Sequence, residues 1–186
     1  MNRTWWTGLL EEAVRDPRRN AQRIVAWSLP DRTVALALIL VSALSVLGLY
    51  AASLLAGLGA GFLPQPFVLA LMQVGSMLLL AAVLAQAGRM FGGQGTFAGS
   101  LRIIVWIQLL MVVLQAVQLI AMLILPPLAG LLSLGSVVAI CWISTGLVAG
   151  LHGFQSLPLT FLGILGAMLV VGFVLSLLLT PFVTLA

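Results

Sequence analysis

Residues 89–102 read Arg-Met-Phe-Gly-Gly-Gln-Gly-Thr-Phe-Ala-Gly-Ser-Leu-Arg, and this stretch decides how the rest of the chain is laid out. Two arginines bracket a glycine-rich run, and from Thr33 to the C-terminus no other residue is charged. A charge at the centre of a bilayer costs about 2.5–3.5 kcal/mol, so Arg89 and Arg102 do not belong in one continuous span. Gly92, Gly93 and Gly95 favour backbone angles that a helix does not use. The whole stretch is therefore expected to be a loop outside the membrane, and it sets the phase of every crossing.

Working outward, the composition agrees with that premise. The chain is 62% hydrophobic and 6% charged, with a mean hydropathy of +1.25, whereas a soluble domain carries about 25% charged residues. The expected class is an all-α integral membrane protein with five transmembrane helices preceded by short cytoplasmic amphipathic helices. Its spans are read at about 33–57, 67–88, 103–125, 128–151 and 159–181, each close to the roughly 20 apolar residues that cross a bilayer. Gly57, Gly59, Gly61, Pro64 and Pro66 make an uncharged turn between the first two spans. Pro126 and Pro127 separate the third from the fourth, and residues 152–158 the fourth from the fifth. The last span is read as ending near Thr180 and Pro181.

Charge orients this array. All eight basic residues are arginines, six of them before Val34, and with Arg89 and Arg102 they fall on one side of a five-span layout. The positive-inside rule makes that side the cytoplasm. The expectation is a multi-pass protein of the inner (cytoplasmic) membrane, N-terminus cytoplasmic and C-terminus periplasmic. The first long apolar run begins only at Thr33, behind a mixed-charge segment, so the N-terminus does not have the form of a cleavable signal. Arginine clusters of this kind report orientation rather than nucleic-acid binding, and no nucleic acid is expected as a partner.

Residues 1–32 divide from residues 33–186 as a cytoplasmic amphipathic segment. Trp5, Trp6, Leu9, Leu10, Ala13 and Val14 recur at helical spacing, with Glu11, Glu12 and Arg15 elsewhere. Asp16 before Pro17 marks an N-cap and first helical residue, so a second short helix begins there, carrying Ala21, Ile24 and Val25 on one face. Tryptophan and arginine at the edges suit a helix lying on a lipid surface, and equally one packed on the protein's own cytoplasmic face.

Polar residues inside the spans are few. Gln108, Gln115 and Gln118 can share one face of the third span, as interhelical hydrogen bonds or as a polar solute path. Gly146 and Gly150 suit close helix packing. His152 is the only histidine and Cys141 the only cysteine. With all acidic residues before Thr33, neither has companions for a metal site. The five spans hold no acid–base pair and no nucleophile with a base, so no catalytic residue, cofactor or metal is expected, and the protein is read as not an enzyme.

The loop Phe91-Gly92-Gly93-Gln94-Gly95-Thr96-Phe97, together with Trp142, Gly146-Leu147 and Gly150-Leu151-His152-Gly153, resembles the Yip family, the five-span proteins named for interaction with Ypt/Rab GTPases. Asp16-Pro17-Arg18 is similar to the approach to the first span in its bacterial branch. The resemblance implies a non-enzymatic membrane protein that acts through partner binding or membrane organisation, in traffic or membrane shaping. Its partners would be the lipid bilayer and other membrane proteins or a second copy. The Asp-Leu-Tyr-Gly-Pro motif and long N-terminus of the eukaryotic branch are missing, which argues against GTPase binding. Residues singled out for interaction or structure are Arg89, Gly92, Gly93, Gly95, Arg102, Gln108, Gln115, Gln118, Trp142 and His152. A small transporter or channel subunit, with its path along the third span, is the competing reading.

Overall fold

The computed structural model describes residues 3–58, 61 and 63–183, with the side chains of residues 7–177 among them. The side chains of Trp5 and Trp6, and the turn glycine Gly59, lie outside the described residues. Among the described residues seven helices follow in order: α1 (Arg3–Arg15), α2 (Pro17–Val25), α3 (Asp31–Leu55), α4 (Pro66–Met90), α5 (Phe97–Ile124), α6 (Pro126–His152) and α7 (Leu157–Val183). Among the described residues there is no strand. Helices α3 to α7 are each long and apolar enough to cross a membrane.

Local chemistry explains the boundaries. Asp16 turns the chain between α1 and α2: its carboxylate accepts the Arg19 amide at 3.1 Å, with Pro17 at the first helical position. Pro66, Pro126, Pro127 and Pro158 lie in first turns, where a missing N–H leaves no hydrogen bond unmade. Pro181 does not end α7, which continues to Val183.

The stretch 89–102 is shorter as a loop than its composition suggests. Helix α4 runs through Arg89 to Met90, and α5 starts at Phe97, so only residues 91–96 are non-helical. Arg89 can be helical because the last turn of a helix presents carbonyls that favour a cation; its Nε donates to the Ala85 carbonyl at 3.3 Å. Arg102 can be helical because α2 lies beside it and supplies an acceptor. Both charges stay at the same end of the bundle as the arginines of α1 and α2.

Helix α5 is the axis of the assembly. It packs on α3, α4 and α6 and reaches α2, while α7 closes the bundle against α4 and α6. One face of α5 gives Ile103, Trp106 and Leu110 to a core with Leu9, Ala13, Ala21, Ile24, Ile143 and Leu147. The opposite face gives Ile104 to a second core with residues of α3, α4, α6 and α7. Thus α1 and α2 share a core with α5 and α6 at the basic end. The apolar stripe read along α1 splits: Leu9 and Ala13 are buried in that core, while Leu10 and Val14 remain 40% and 57% exposed. Packing on the protein's own helices therefore accounts for two of the four stripe residues whose side chains are described.

Candidate interaction site at the basic end

Two loops meet at the basic end through one imidazole. Gly92, at φ 80°, ends α4, and Gly153, at φ 75°, ends α6. Both adopt the left-handed conformation that glycine accepts without steric penalty. The Gly93 amide returns to the Gly88 carbonyl at 2.8 Å, and the Phe154 amide to the Ala149 carbonyl at 3.0 Å. These closures bring residues 91–96 alongside residues 153–156, and the Gln94 amide donates to the His152 carbonyl at 3.3 Å.

Into this junction projects the side chain of His152, 3% exposed. A Cβ at Gly88 would lie 2.0 Å from its Nε2, one at Gly95 would lie 2.5 Å from the same atom, and one at Gly93 would lie 2.7 Å from its Cδ2. Three glycines thus form a cradle that only a missing side chain permits. Nδ1 lies 3.2 Å from the Val148 carbonyl, and Phe154 stacks on the ring at 5.2 Å with 11° between planes. Of the loop glycines singled out in the sequence, Gly93 and Gly95 belong to this cradle. Gly92 serves the turn instead, with nothing near its absent side chain.

Helix α2 is clamped to the same end. A Cβ at Gly146 would lie 2.2 Å from the Pro17 ring, and one at Gly150 would lie 2.5 Å from the Arg18 carbonyl. The close packing expected of these two glycines is therefore with α2 rather than with another span. Arginines hold both ends of α2. Arg18 Nη2 donates to the Gln155 carbonyl at 2.7 Å, and Arg102 Nη1 donates to the Val25 carbonyl at 3.1 Å. The second contact places a cation at the C-terminus of α2, where unpaired carbonyls attract it. Asn20 is fully buried, its Nδ2 donating to the Leu9 carbonyl at 3.2 Å and facing Glu12 Oε2 at 3.4 Å. Glu12 also pairs with Arg19 and Arg23, each at 3.5 Å. Trp142 Nε1 donates to the Val14 carbonyl at 3.0 Å, joining α6 to the end of α1.

The glutamines of α5 stand apart from this end. Gln108 Nε2 donates to Ser45 Oγ at 2.5 Å and Gln115 Nε2 to the Ser45 carbonyl at 3.3 Å, both on α3. Gln118 Nε2 donates to Ser136 Oγ on α6 at 3.0 Å. Each amide pairs α5 with a neighbour. Among the described residues no group of three or more His, Cys, Asp or Glu is placed to hold a metal ion.

Sequence reasoning missed Asn20, Arg18 and Gly88. Asn20 had a signal: Pro17, Asn20, Ala21 and Ile24 fall at i, i+3, i+4 and i+7, the spacing of one buried face. Gly88 had none, since its place in the cradle depends on a histidine of another helix.

Five membrane-length helices with a docked pair of short helices at the basic end define a multi-pass helical membrane protein. A family model described as the Yip1 domain matches residues 12–179, and the chain belongs to that family. Neither the curated proteins nor the solved structures provide a match.

Proposed function

We propose that this protein is a non-enzymatic membrane component that works by binding partner proteins or organising the bilayer at its basic end. In this reading the protein sits in the inner (cytoplasmic) membrane with that end towards the cytoplasm, as the one-sided arginines favour. The observation that carries the reading is how the conspicuous polar groups of this end are engaged. Arg18, Arg102, Asn20 and the buried His152 each join one helix or loop to another, which holds a surface in a fixed shape. On that surface Met90 and Phe91 are 78% and 79% exposed beside Arg89. Exposed apolar residues rimmed by charge are a usual mark of a contact with another protein or with the membrane. GTPase binding is not part of the proposal.

The competing reading, a solute path along α5, finds less support, because each amide there already has a serine partner on a neighbouring helix. The test is chemical crosslinking in native membranes followed by purification of the tagged protein, comparing the unmodified chain with Phe91→Asp. A defined set of membrane proteins captured by the former and lost from the latter is the expected result. Solute flux through the purified protein in proteoliposomes, abolished by Gln108→Leu with the fold intact, would reverse the choice.

A further inference from the structure

We infer that a cleft between α1–α2 and the α6–α7 pair is a binding site for one anionic phospholipid, a proposal that goes beyond the partner-binding reading and does not depend on it. The cleft has a volume of about 180 Å3, with Arg15, Asp16 and Arg18 on one side and Trp142 and Leu157 on the other. Trp142 and Leu157 also line a second, apolar space of about 300 Å3 that runs between α6 and α7 past Cys141, Thr145 and Phe161. A cleft with charged residues on one wall thus adjoins a hydrocarbon-lined groove, the two-part shape of a lipid headgroup and its acyl chain.

Depth supports that occupant. Trp142 is bonded to Val14, Gly146 abuts Pro17 and Gly150 abuts Arg18, so the charged helices α1 and α2 lie alongside the last third of α6 rather than beyond its end. From Pro126 to Cys141, α6 rises about 24 Å, somewhat less than the roughly 30 Å of hydrocarbon. Counted from Pro126, the membrane boundary therefore falls about one helical turn beyond Trp142, near Gly146, and leaves the half-exposed Trp142 ring just inside the interface that such rings favour. Arg15 and Arg18 stand at headgroup depth and the groove beside Phe161 at acyl-chain depth.

Charge selects among lipids. The acidic groups near the cleft are engaged: Asp16 accepts the Arg19 amide, Glu11 pairs with Arg15 Nε at 3.2 Å, and Glu12 pairs with Arg19 and Arg23. Arg15 remains largely exposed, and Arg18 keeps a buried Nε without a hydrogen-bond partner beyond its bond to Gln155. Around the cleft Arg15, Arg18, Arg19 and Arg23 outnumber Glu11, Glu12 and Asp16 by one, which favours a phosphodiester that lacks its own cation, such as phosphatidylglycerol, over a zwitterionic headgroup.

The experiment uses the full-length protein in neutral detergent, with retained lipid counted by native mass spectrometry and Cys141, the only thiol, as a reporter within the groove. Phosphatidylglycerol is expected to be retained at severalfold lower concentration than phosphatidylcholine and to slow Cys141 alkylation severalfold. Arg18→Gln should erase the preference. Because that change also removes the Gln155 contact, Arg15→Gln, at an exposed position, provides a second test and should reduce the preference at least twofold with the fold intact. Equal retention of the two lipids, or a preference that survives both substitutions, would overturn the proposal. So would displacement of the lipid by inorganic phosphate at matched concentration, which would mark a free-anion site.

Discussion

Gly88 and His152, on different helices, fit together so closely that a methyl group on the first would lie 2.0 Å from Nε2 of the second. The ring stands over the α4 backbone, so α4 and α6 approach at this point only because Gly88 has no side chain. Gly88→Ala is expected to destabilise by about 1–3 kcal/mol through overpacking. Gly75→Ala on the same helix, where nothing lies within 4 Å, should not lower thermal stability, since alanine is the better helix former. Combined with His152→Ala, the Gly88 substitution should cost less than the sum of the two single changes. Strict additivity in thermal unfolding would mean that the two residues do not share a site.

Docking of α2 depends on Gly146 and Gly150 in the same manner. At Gly150 the obstacle is the Arg18 backbone, which cannot swing aside as a side chain would. Gly150→Val should therefore free α2 and speed tryptic cleavage after Arg18, Arg19 and Arg23 by at least tenfold. Gly135→Val, elsewhere on α6 in open space, should leave the cleavage rate unchanged. Equal rates for all three proteins would show that α2 is not held by this contact.

Arg102→Gln removes the cation from the Val25 carbonyl at the end of α2. A hydrogen bond from a charged donor is worth about 1.5–3 kcal/mol, so the last turn of α2 should fray. Amide hydrogen exchange at residues 22–27 is the measurement, with faster exchange there and little change in residues 40–46 as the expected pattern.

In α5, Gln115→Leu should lower stability by about 0.6 kcal/mol, the usual worth of an interhelical hydrogen bond in a membrane. Gly48→Ala should act at the same place, since its Cβ would lie 2.5 Å from the Gln115 amide carbon. Neither change is expected to create or abolish solute flux in proteoliposomes.

Topology can be read with two reporters. One inserted at Gly95 should report from the cytoplasm and one fused after Ala186 from the periplasm, as an odd number of spans and one-sided arginines require. Reports from a single compartment would contradict the odd span count.

Sequence alone determined the elements that depend on neighbours along the chain. Uninterrupted apolar runs of membrane length could be counted, and Asp16-Pro17 announced the α1–α2 break through cap and ring chemistry that needs no tertiary partner. What touches what was not legible. Apart from a few glutamines and the arginines at their basic ends, helices α4 to α7 carry apolar residues all round, because a face against lipid and a face against another helix have the same chemistry, so no apolar stripe marks the buried one. Leu9 and Leu10 are identical in type, yet one is fully buried and the other 40% exposed. The cradle joins Gly88 to a histidine on α6, and Arg18 meets Gln155 from 137 positions away. These pairings arise only when α2 and two glycine-ended loops are packed at one end of the bundle, which is why the tertiary structure decided them.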